Sequence, residues 1–298
     1  MVINLLLIGS HVSFRDKQLL GCVEAALSYG ANTFMFYTGA PANSIRRTID
    51  DKLTKKAHEL MKLNNINPKN IVCHAPYVVN LANNINPSLY EFSINFIKQE
   101  IKRCESLGVS KLIIHPGSHV TLTKEKGIEN IINALNIILD GSGKITILLE
   151  YMAGKGSECG CNLEELKTII DGVKNKELIG ICIDTCHLND YGVNLANFND
   201  FLTDFAKTIG LEKLQCIHIN DSKNPIGSHK DRHENIGFGT IGFENILNIV
   251  HNEQLKNVPK ILETPTFEDK PTYKFEIDML KNKTFDPNLY EKVKDFYK

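Results

Sequence analysis

Six short aliphatic runs in this chain each end in a residue able to hold a metal ion. Ile71-Val72-Cys73 precedes His74, Leu112-Ile113-Ile114 precedes His115 and Ile147-Leu148-Leu149 precedes Glu150. Cys182-Ile183 precedes Asp184, Cys216-Ile217 precedes His218 and Ile261-Leu262 precedes Glu263. Two loop segments extend the set. Asp184-Thr185-Cys186-His187 places a histidine three residues after an aspartate, and Asp231-Arg232-His233 sets a carboxylate and an imidazole on one side of an extended segment. A single such residue reads as a strand-end cap or a satisfied core group. Six in series do not, because buried polar groups at one mouth need partners. Imidazole with carboxylate, and no thiolate at the run ends, suits zinc, manganese or iron in a catalytic site rather than a closed structural zinc site. Catalytic zinc takes about three protein ligands, so nine candidates point to two or three ions. Among the other histidines, His58 and His251 fall in helical stretches and read as solvated, whereas His11, just past the first strand, could support the site.

Eight elements carry these residues to one place. Strands are expected at Asn4–Ile8, Thr33–Tyr37, Ile71–His74, Lys111–His115, Ile145–Glu150, Ile179–Asp184, Leu214–Ile219 and Lys260–Glu263. Apolar residues at three- and four-residue steps predict helices over Asp16–Tyr29, Asp51–Asn64, Ser88–Leu107, Lys126–Leu139, Asn162–Val173, Phe198–Thr208 and Phe243–His251. Strand alternating with helix reads as an α/β protein, a (β/α)8 TIM barrel, with a doubly wound sheet as the alternative. In a barrel the carboxyl ends of all strands meet at one mouth. Alternation along each strand then aims Ile113, Leu148, Cys182, Cys216 and Ile261 into the interior beneath their polar partners. No Pro/Gly/Ser linker or composition break divides the chain, so one domain over residues 1–298 is expected.

The 298 residues carry 34 Lys plus Arg against 35 Asp plus Glu, a formal net charge of -1. That balance argues against a protein that grips nucleic acid or a membrane through bulk positive charge. No apolar stretch approaches the ~20 residues of a membrane span, and the N-terminus lacks the pattern of a signal peptide. Eight irregularly spaced cysteines then read as reduced thiols and a cytoplasmic location.

Two glycine patterns invite over-reading. Gly237-Phe-Gly-Thr-Ile-Gly242 has the spacing of a dinucleotide-binding loop, but a polar segment precedes it instead of a hydrophobic strand; it reads as a turn into the next helix. Gly154-Lys155-Gly156-Ser157 lacks the first glycine of a phosphate loop and reads as a flexible connection.

Several of these segments resemble the endonuclease IV family of apurinic/apyrimidinic (AP) endonucleases. Gly180-Ile-Cys-Ile-Asp-Thr-Cys-His187 is similar to one family signature. Ile217-His-Ile-Asn-Asp-Ser-Lys223, followed by Gly227 and Asp231-Arg-His233, is similar to another and is highly specific. His74-Ala-Pro-Tyr77 with Asn80-Leu81 resembles a third, except that the family commonly has serine where Pro76 stands. The resemblance runs from the first strand to about Glu263. It implies a (β/α)8 barrel with three zinc ions, manganese being possible in part. His74 and His115 would hold the first, with Glu150 bridging to the second. Asp184, His218 and Glu263 would complete the second, and His187, Asp231 and His233 would hold the third. The implied reaction is hydrolysis of the phosphodiester 5′ to an abasic site in double-stranded DNA, leaving a 3′-hydroxyl and a 5′-deoxyribose phosphate, with removal of 3′-blocking groups as a related activity. Tyr77 matches a family tyrosine that inserts into the DNA stack. Arg232, Arg46 and Arg47 are candidate phosphate contacts, and a monomer is implied. Three divalent ions would shift the formal charge from -1 to about +5, concentrated at the mouth.

Two rivals belong to other classes. Metal-dependent sugar isomerases or epimerases share the barrel and a His/Asp/Glu mouth but usually need one or two metals. A non-catalytic metal- or lesion-binding protein would keep the histidines and tolerate loss of Glu150.

Overall fold

The structure is a computed structural model describing residues 6–141 and 143–298. Eight parallel strands close into a barrel: β1 (Ile8–His11), β2 (Thr33–Phe36), β3 (Val72–His74), β4 (Lys111–Ile114), β5 (Thr146–Glu150), β6 (Ile179–Asp184), β7 (Leu214–Ile219) and β10 (Lys260–Leu262). They neighbour one another in chain order, and β10 pairs with β1 to close the ring. A two-residue hairpin, β8 (Asp221–Ser222) with β9 (His233–Glu234), lies outside the barrel. The helices are α1 (Gln18–Ser28), α2 (Asp51–Leu63), α3 (Pro87–Leu107), α4 (Lys124–Ile138), α5 (Leu163–Gly172), α6 (Thr185–Tyr191), α7 (Phe198–Thr208), α8 (Phe243–Val250), α9 (Tyr273–Asn282) and α10 (Leu289–Phe296). Among the described residues no helix is long and apolar enough to cross a membrane.

The barrel interior holds Met35, Val72, Ile113, Leu148, Cys182, Cys216 and Ile261 as one buried cluster, with Tyr37 packed against it. Each lies two residues before a side chain at the mouth, so strand alternation stacks an apolar floor under a polar rim. The five interior positions expected from sequence are all in this floor.

Three expectations shift. The first strand is Ile8–His11 rather than Asn4–Ile8, of which Asn4 and Leu5 lie outside the described residues. The Asn32 side chain accounts for the shift: its Oδ1 accepts from Ile8 N, and its Nδ2 donates to Leu6 O. Pairing with β2 then begins at Gly9 opposite Thr33, where a Cβ on Gly9 would overlap the Thr33 carbonyl. This puts His11 at a strand end like the other mouth residues. The segment after Asp184, expected as a loop, is helix α6. The eighth crossover helix, beyond the last expected element, is α9, which packs on β1. Its buried Glu276 accepts from Thr264 Oγ1, Thr272 Oγ1, Asn235 Nδ2 and Ile236 N, tying the end of the barrel to the loop after β9.

Candidate metal centre

All nine residues anticipated as metal ligands stand together at the carboxyl ends of the strands. Their ligand atoms fall into three groups, each with its members within 4.8 Å of one another: His74, His115 and Glu150; Glu150, Asp184, His218 and Glu263; and His187, Asp231 and His233. Glu150 belongs to two groups because its oxygens face different ways. Oε2 lies 3.1 Å from His74 Nε2 and 3.2 Å from His115 Nε2, whereas Oε1 lies 3.0 Å from His218 Nδ1 and 3.4 Å from His187 Nδ1. Asp184 Oδ2 sits between His218 Nδ1 at 3.7 Å and His233 Nε2 at 3.6 Å, linking the second group to the third. Asp231 Oδ1 is 3.2 Å from His187 Nε2 and 3.3 Å from His233 Nε2.

Local structure aims these side chains. Asp184 caps α6: its Oδ1 accepts from Cys186 N at 2.6 Å and His187 N at 3.2 Å, which leaves Oδ2 for the mouth. One helical turn brings His187 back over Glu150. A second ring nitrogen on three of the histidines meets a backbone carbonyl: His74 Nδ1 at Ala75 O (2.6 Å), His187 Nδ1 at Tyr151 O (3.0 Å) and His233 Nδ1 at Glu263 O (3.2 Å). Such contacts fix tautomer and ring orientation, as they do for metal-binding imidazoles generally. Asp231 has φ +55°, so the segment around it is not the extended run expected, yet its carboxylate still meets His233. The Asp231 N–H donates to Asp190 Oδ2 at 2.8 Å, holding the left-handed turn.

The donor set fits divalent cations. His233 Nε2 is buried and lies 3.3 Å from a carboxylate oxygen, but it makes no hydrogen bond. A nitrogen and an oxygen that approach without aligning are placed as two ligands of one ion are placed. Burial pushes His187 and His233 down, but Asp184 and Asp231 outweigh it; His187 is held well above the ordinary imidazole range and His233 at about 9. Burial alone would raise the Glu150 carboxyl, but His218 and His115 hold it well below the usual range. Without a cation, protons on imidazole serve the same electrostatic role. Side chains of His115, Asp231, His233 and Glu263 keep 30, 30, 22 and 17 % exposure, so the mouth opens toward solvent on their side.

The remaining candidates separate. Tyr77 is 58 % exposed beside the exposed Val78, in the loop after β3. Arg232 is exposed between two ligands, and Arg47 is exposed and paired with Asp16 at 2.7 Å. Arg46 is not available to a phosphate, which corrects the expectation. Its side chain is 2 % exposed, its Nε donates to Glu100 Oε1 at 2.7 Å, and its guanidinium lies 4.9 Å from the Phe96 ring centroid. Together with Arg103, which donates to Thr38 Oγ1 and to the carbonyls of Thr38 and Arg47, it lashes the loop after β2 to α3.

Three supporting residues escaped the sequence reading. Asn220 donates to Asp184 Oδ2 at 2.7 Å and accepts from Glu263 N at 3.0 Å, fixing two ligands at once. Its place directly after β7, inside the quoted motif, was the available signal. Buried Asp190 lies one turn beyond His187, a relation visible only once α6 is recognised. The Tyr37 ring lies 4.9 Å from that of His74, tilted by 38°, and edge-on to His11. The glycine loop Gly237–Gly242 also has a definite role. The Asp221 carboxylate accepts from the N–H groups of Ser222, Gly237, Gly239 and Ile241. An anion-cradling loop thus encloses a carboxylate of its own chain, and a Cβ on Gly239 would strike it.

Residues 23–283 match the family model described as a xylose isomerase-like TIM barrel. A protein described as probable endonuclease 4, from Oceanobacillus iheyensis, is 52 % identical over 293 residues, covering 96 % of this chain and 98 % of that protein. The crystal structure of endonuclease IV from Thermus thermophilus superposes with a TM-score of 0.78 at 27 % identity, covering 92 % of this chain and 97 % of that one. A D-tagatose 3-epimerase-like protein superposes with a TM-score of 0.65 at 21 % identity, over 97 % of this chain and 100 % of that one, a likeness of fold. On its match to the family model and its identity with the Oceanobacillus protein along nearly the whole length of both, the chain belongs to the endonuclease IV family of xylose isomerase-like TIM barrels.

Proposed function

We propose that the protein, acting as a single-domain monomer in the cytoplasm, cuts the phosphodiester 5′ to abasic sites in duplex DNA. The cut leaves a 3′-hydroxyl and a 5′-deoxyribose phosphate. We assign three zinc ions to the three ligand groups, with manganese as a partial substitute. Bound cations here would supply a water made acidic enough to attack phosphorus and positive charge for the departing oxygen.

The observation that carries this reading is Glu150, whose two oxygens face two different groups of imidazoles. It holds those groups at a fixed spacing, as a bridging carboxylate must. Backbone carbonyls behind His74, His187 and His233 keep the rings aimed before substrate arrives. The open side, rimmed by His115, Asp231 and His233, admits a phosphate between the groups. Tyr77 is exposed and would fill the gap left by a missing base, where unpairing costs least. Arg47 and Arg232 are exposed and would meet backbone phosphates, which position a duplex without reading its sequence. The group of His187, Asp231 and His233 disfavours a sugar-isomerase reading, because that chemistry leaves the group without a task.

The test is incubation of zinc-replete protein with a duplex carrying one synthetic abasic site. A single cut on its 5′ side, with an extendable 3′-hydroxyl and an intact undamaged control duplex, is expected. No such cut would overturn the reading.

A further inference from the structure

Beneath the mouth lie two thiols that are not among the nine ligands. Cys182 and Cys216 are partners in register on β6 and β7, one layer below the partners Asp184 and His218. Both are free thiols with no exposed surface. Their sulfurs and a ring nitrogen of His218 lie within 4.8 Å of one another. The His218 ring is committed on one side only. Its Nδ1 lies 3.0 Å from Glu150 Oε1 and 2.9 Å from Glu263 Oε2, while its Nε2 is buried and has no hydrogen-bond partner. A buried imidazole nitrogen without a partner is costly, and here the layer below it contains two thiols.

We propose that Cys182, Cys216 and His218 Nε2 form a separate site for a soft, thiophilic d10 cation such as monovalent copper or cadmium. Thiolate ligands select soft ions, whereas the carboxylate-rich groups above suit harder ones. Donors bound to one ion at about 2.0–2.3 Å lie at most about 4.6 Å apart, so the present spacing closes with shifts of a few tenths of an ångström. On binding to the zinc-loaded protein, two S–H bonds and the Nε2–H bond of His218 break, and two metal–sulfur bonds and one metal–nitrogen bond form. The three protons leave for solvent through the mouth, and the ring remains as an imidazolate shared between the two layers. No electron is transferred. Because His218 faces the upper groups through Nδ1, the same ring bridges the two layers. A soft ion below would therefore alter one ligand of the site above. This assignment rests on the metal-centre reading only for that link; the thiophilic site itself stands without any nuclease activity.

The experiment adds one equivalent of cadmium to the zinc-loaded, full-length protein and records the near-ultraviolet thiolate-to-cadmium charge-transfer band. Oxygen and imidazole ligands give no such band, so cadmium exchanging into the upper groups is silent. The band is expected in the unaltered protein, lost in Cys182→Ala and in Cys216→Ala, and kept in Cys22→Ala and in Cys186→Ala, whose thiol is the one that lies within 4.8 Å of the upper ligand atoms of Asp184 and His233. Circular dichroism and zinc content check that each variant is folded. If Cys182→Ala fails to fold, Cys216→Ser provides the same comparison with nearly unchanged volume. A band that survives loss of either thiol, or no band in unaltered protein, overturns the proposal. Abasic-site incision measured on the same samples separates this outcome from failure of the nuclease reading.

Discussion

Asp190 offers a quantitative test of how the mouth is held. The side chain has no exposed surface, and it receives three hydrogen bonds of 3.1 Å or less: from Asp231 N at 2.8 Å, Ser222 Oγ at 2.7 Å and Asn189 Nδ2 at 3.1 Å. Asp190→Ala removes the acceptor for all three. A buried donor left without a partner costs about 1–3 kcal/mol. Three of them, partly relieved by water entering the space, give about 3–6 kcal/mol. A second effect follows at Asp231, whose left-handed backbone costs about 1–3 kcal/mol and persists only while its surroundings fix it. Released from Asp190, this carboxylate no longer stays beside His187 and His233. Loss of such an outer support weakens cation binding by about 10–100-fold. The assay pairs a denaturant midpoint, measured in chelator, with bound-metal content after dialysis. Asp190→Asn retains one acceptor and should fall between. Asp171→Ala, which removes an exposed pair with Lys167, should shift stability by no more than about 0.5 kcal/mol. If Asp190→Ala loses less than about 1 kcal/mol and keeps its full metal content, Asp190 does not position Asp231.

Further outcomes follow from the same geometry. Glu150→Ala should abolish incision with an unchanged far-ultraviolet circular dichroism spectrum, and near-normal turnover would refute the bridging role. Metal affinity should rise with pH: His233, held at about 9 without a cation, must lose a proton to bind. At pH 7 that requirement costs about 2.7 kcal/mol, or roughly a hundredfold in affinity, by the value of one pKa unit; titrations in metal buffers from about pH 6 to 9 measure it. The raised imidazole also stabilises the metal-free fold below the unfolded pKa near 6.5, a contribution lost as pH rises through about 9. Chelated protein should therefore melt at lower temperature across that window, and a rise would contradict the assignment. Arg47→Ala should weaken duplex binding and reduce the salt slope by about 1. Arg46→Ala should instead cost about 3–5 kcal/mol of stability by leaving buried Glu100 unpaired, with the salt slope of the folded fraction unchanged. Gly239→Ala forces a methyl group against Asp221 and the Ser222 carbonyl and should lower the melting temperature; an unchanged melt would mean the loop can rearrange freely.

The barrel and its mouth were legible because their signals are local and repeated. Each ligand at a strand end follows an aliphatic run, and the residue two before it is apolar or a thiol, so one alternation rule locates both rim and floor. The signals failed where a side chain settles backbone geometry at a distance. Asn32 decides where β1 starts, and nothing inside Leu5–Ile8 reveals it. Asp184 was recognised as a ligand, but its second oxygen also starts α6, and that dual use hid the helix and Asp190 with it. Arg46 looked like its neighbour Arg47 because adjacent arginines carry equal charge. Only the position of Glu100 on α3, 54 residues along the chain, turns one inward and leaves the other in water. The glycine spacing at Gly237–Gly242 reads as a turn into the next helix, and nothing in that spacing reveals that its N–H groups gather around the Asp221 carboxylate.

The ligands run from His74 on β3 to Glu263 just past β10, and no group is supplied by one contiguous segment. A partly folded chain can therefore hold at most a fragment of any site, and complete loading follows closure of the ring. The ring also sets the spacing of the donors. The ligands of each group come from segments whose order around the mouth is fixed only once β10 has paired with β1. Substitutions far from the mouth that loosen strand pairing should therefore spread the donors and weaken metal retention although they touch no ligand.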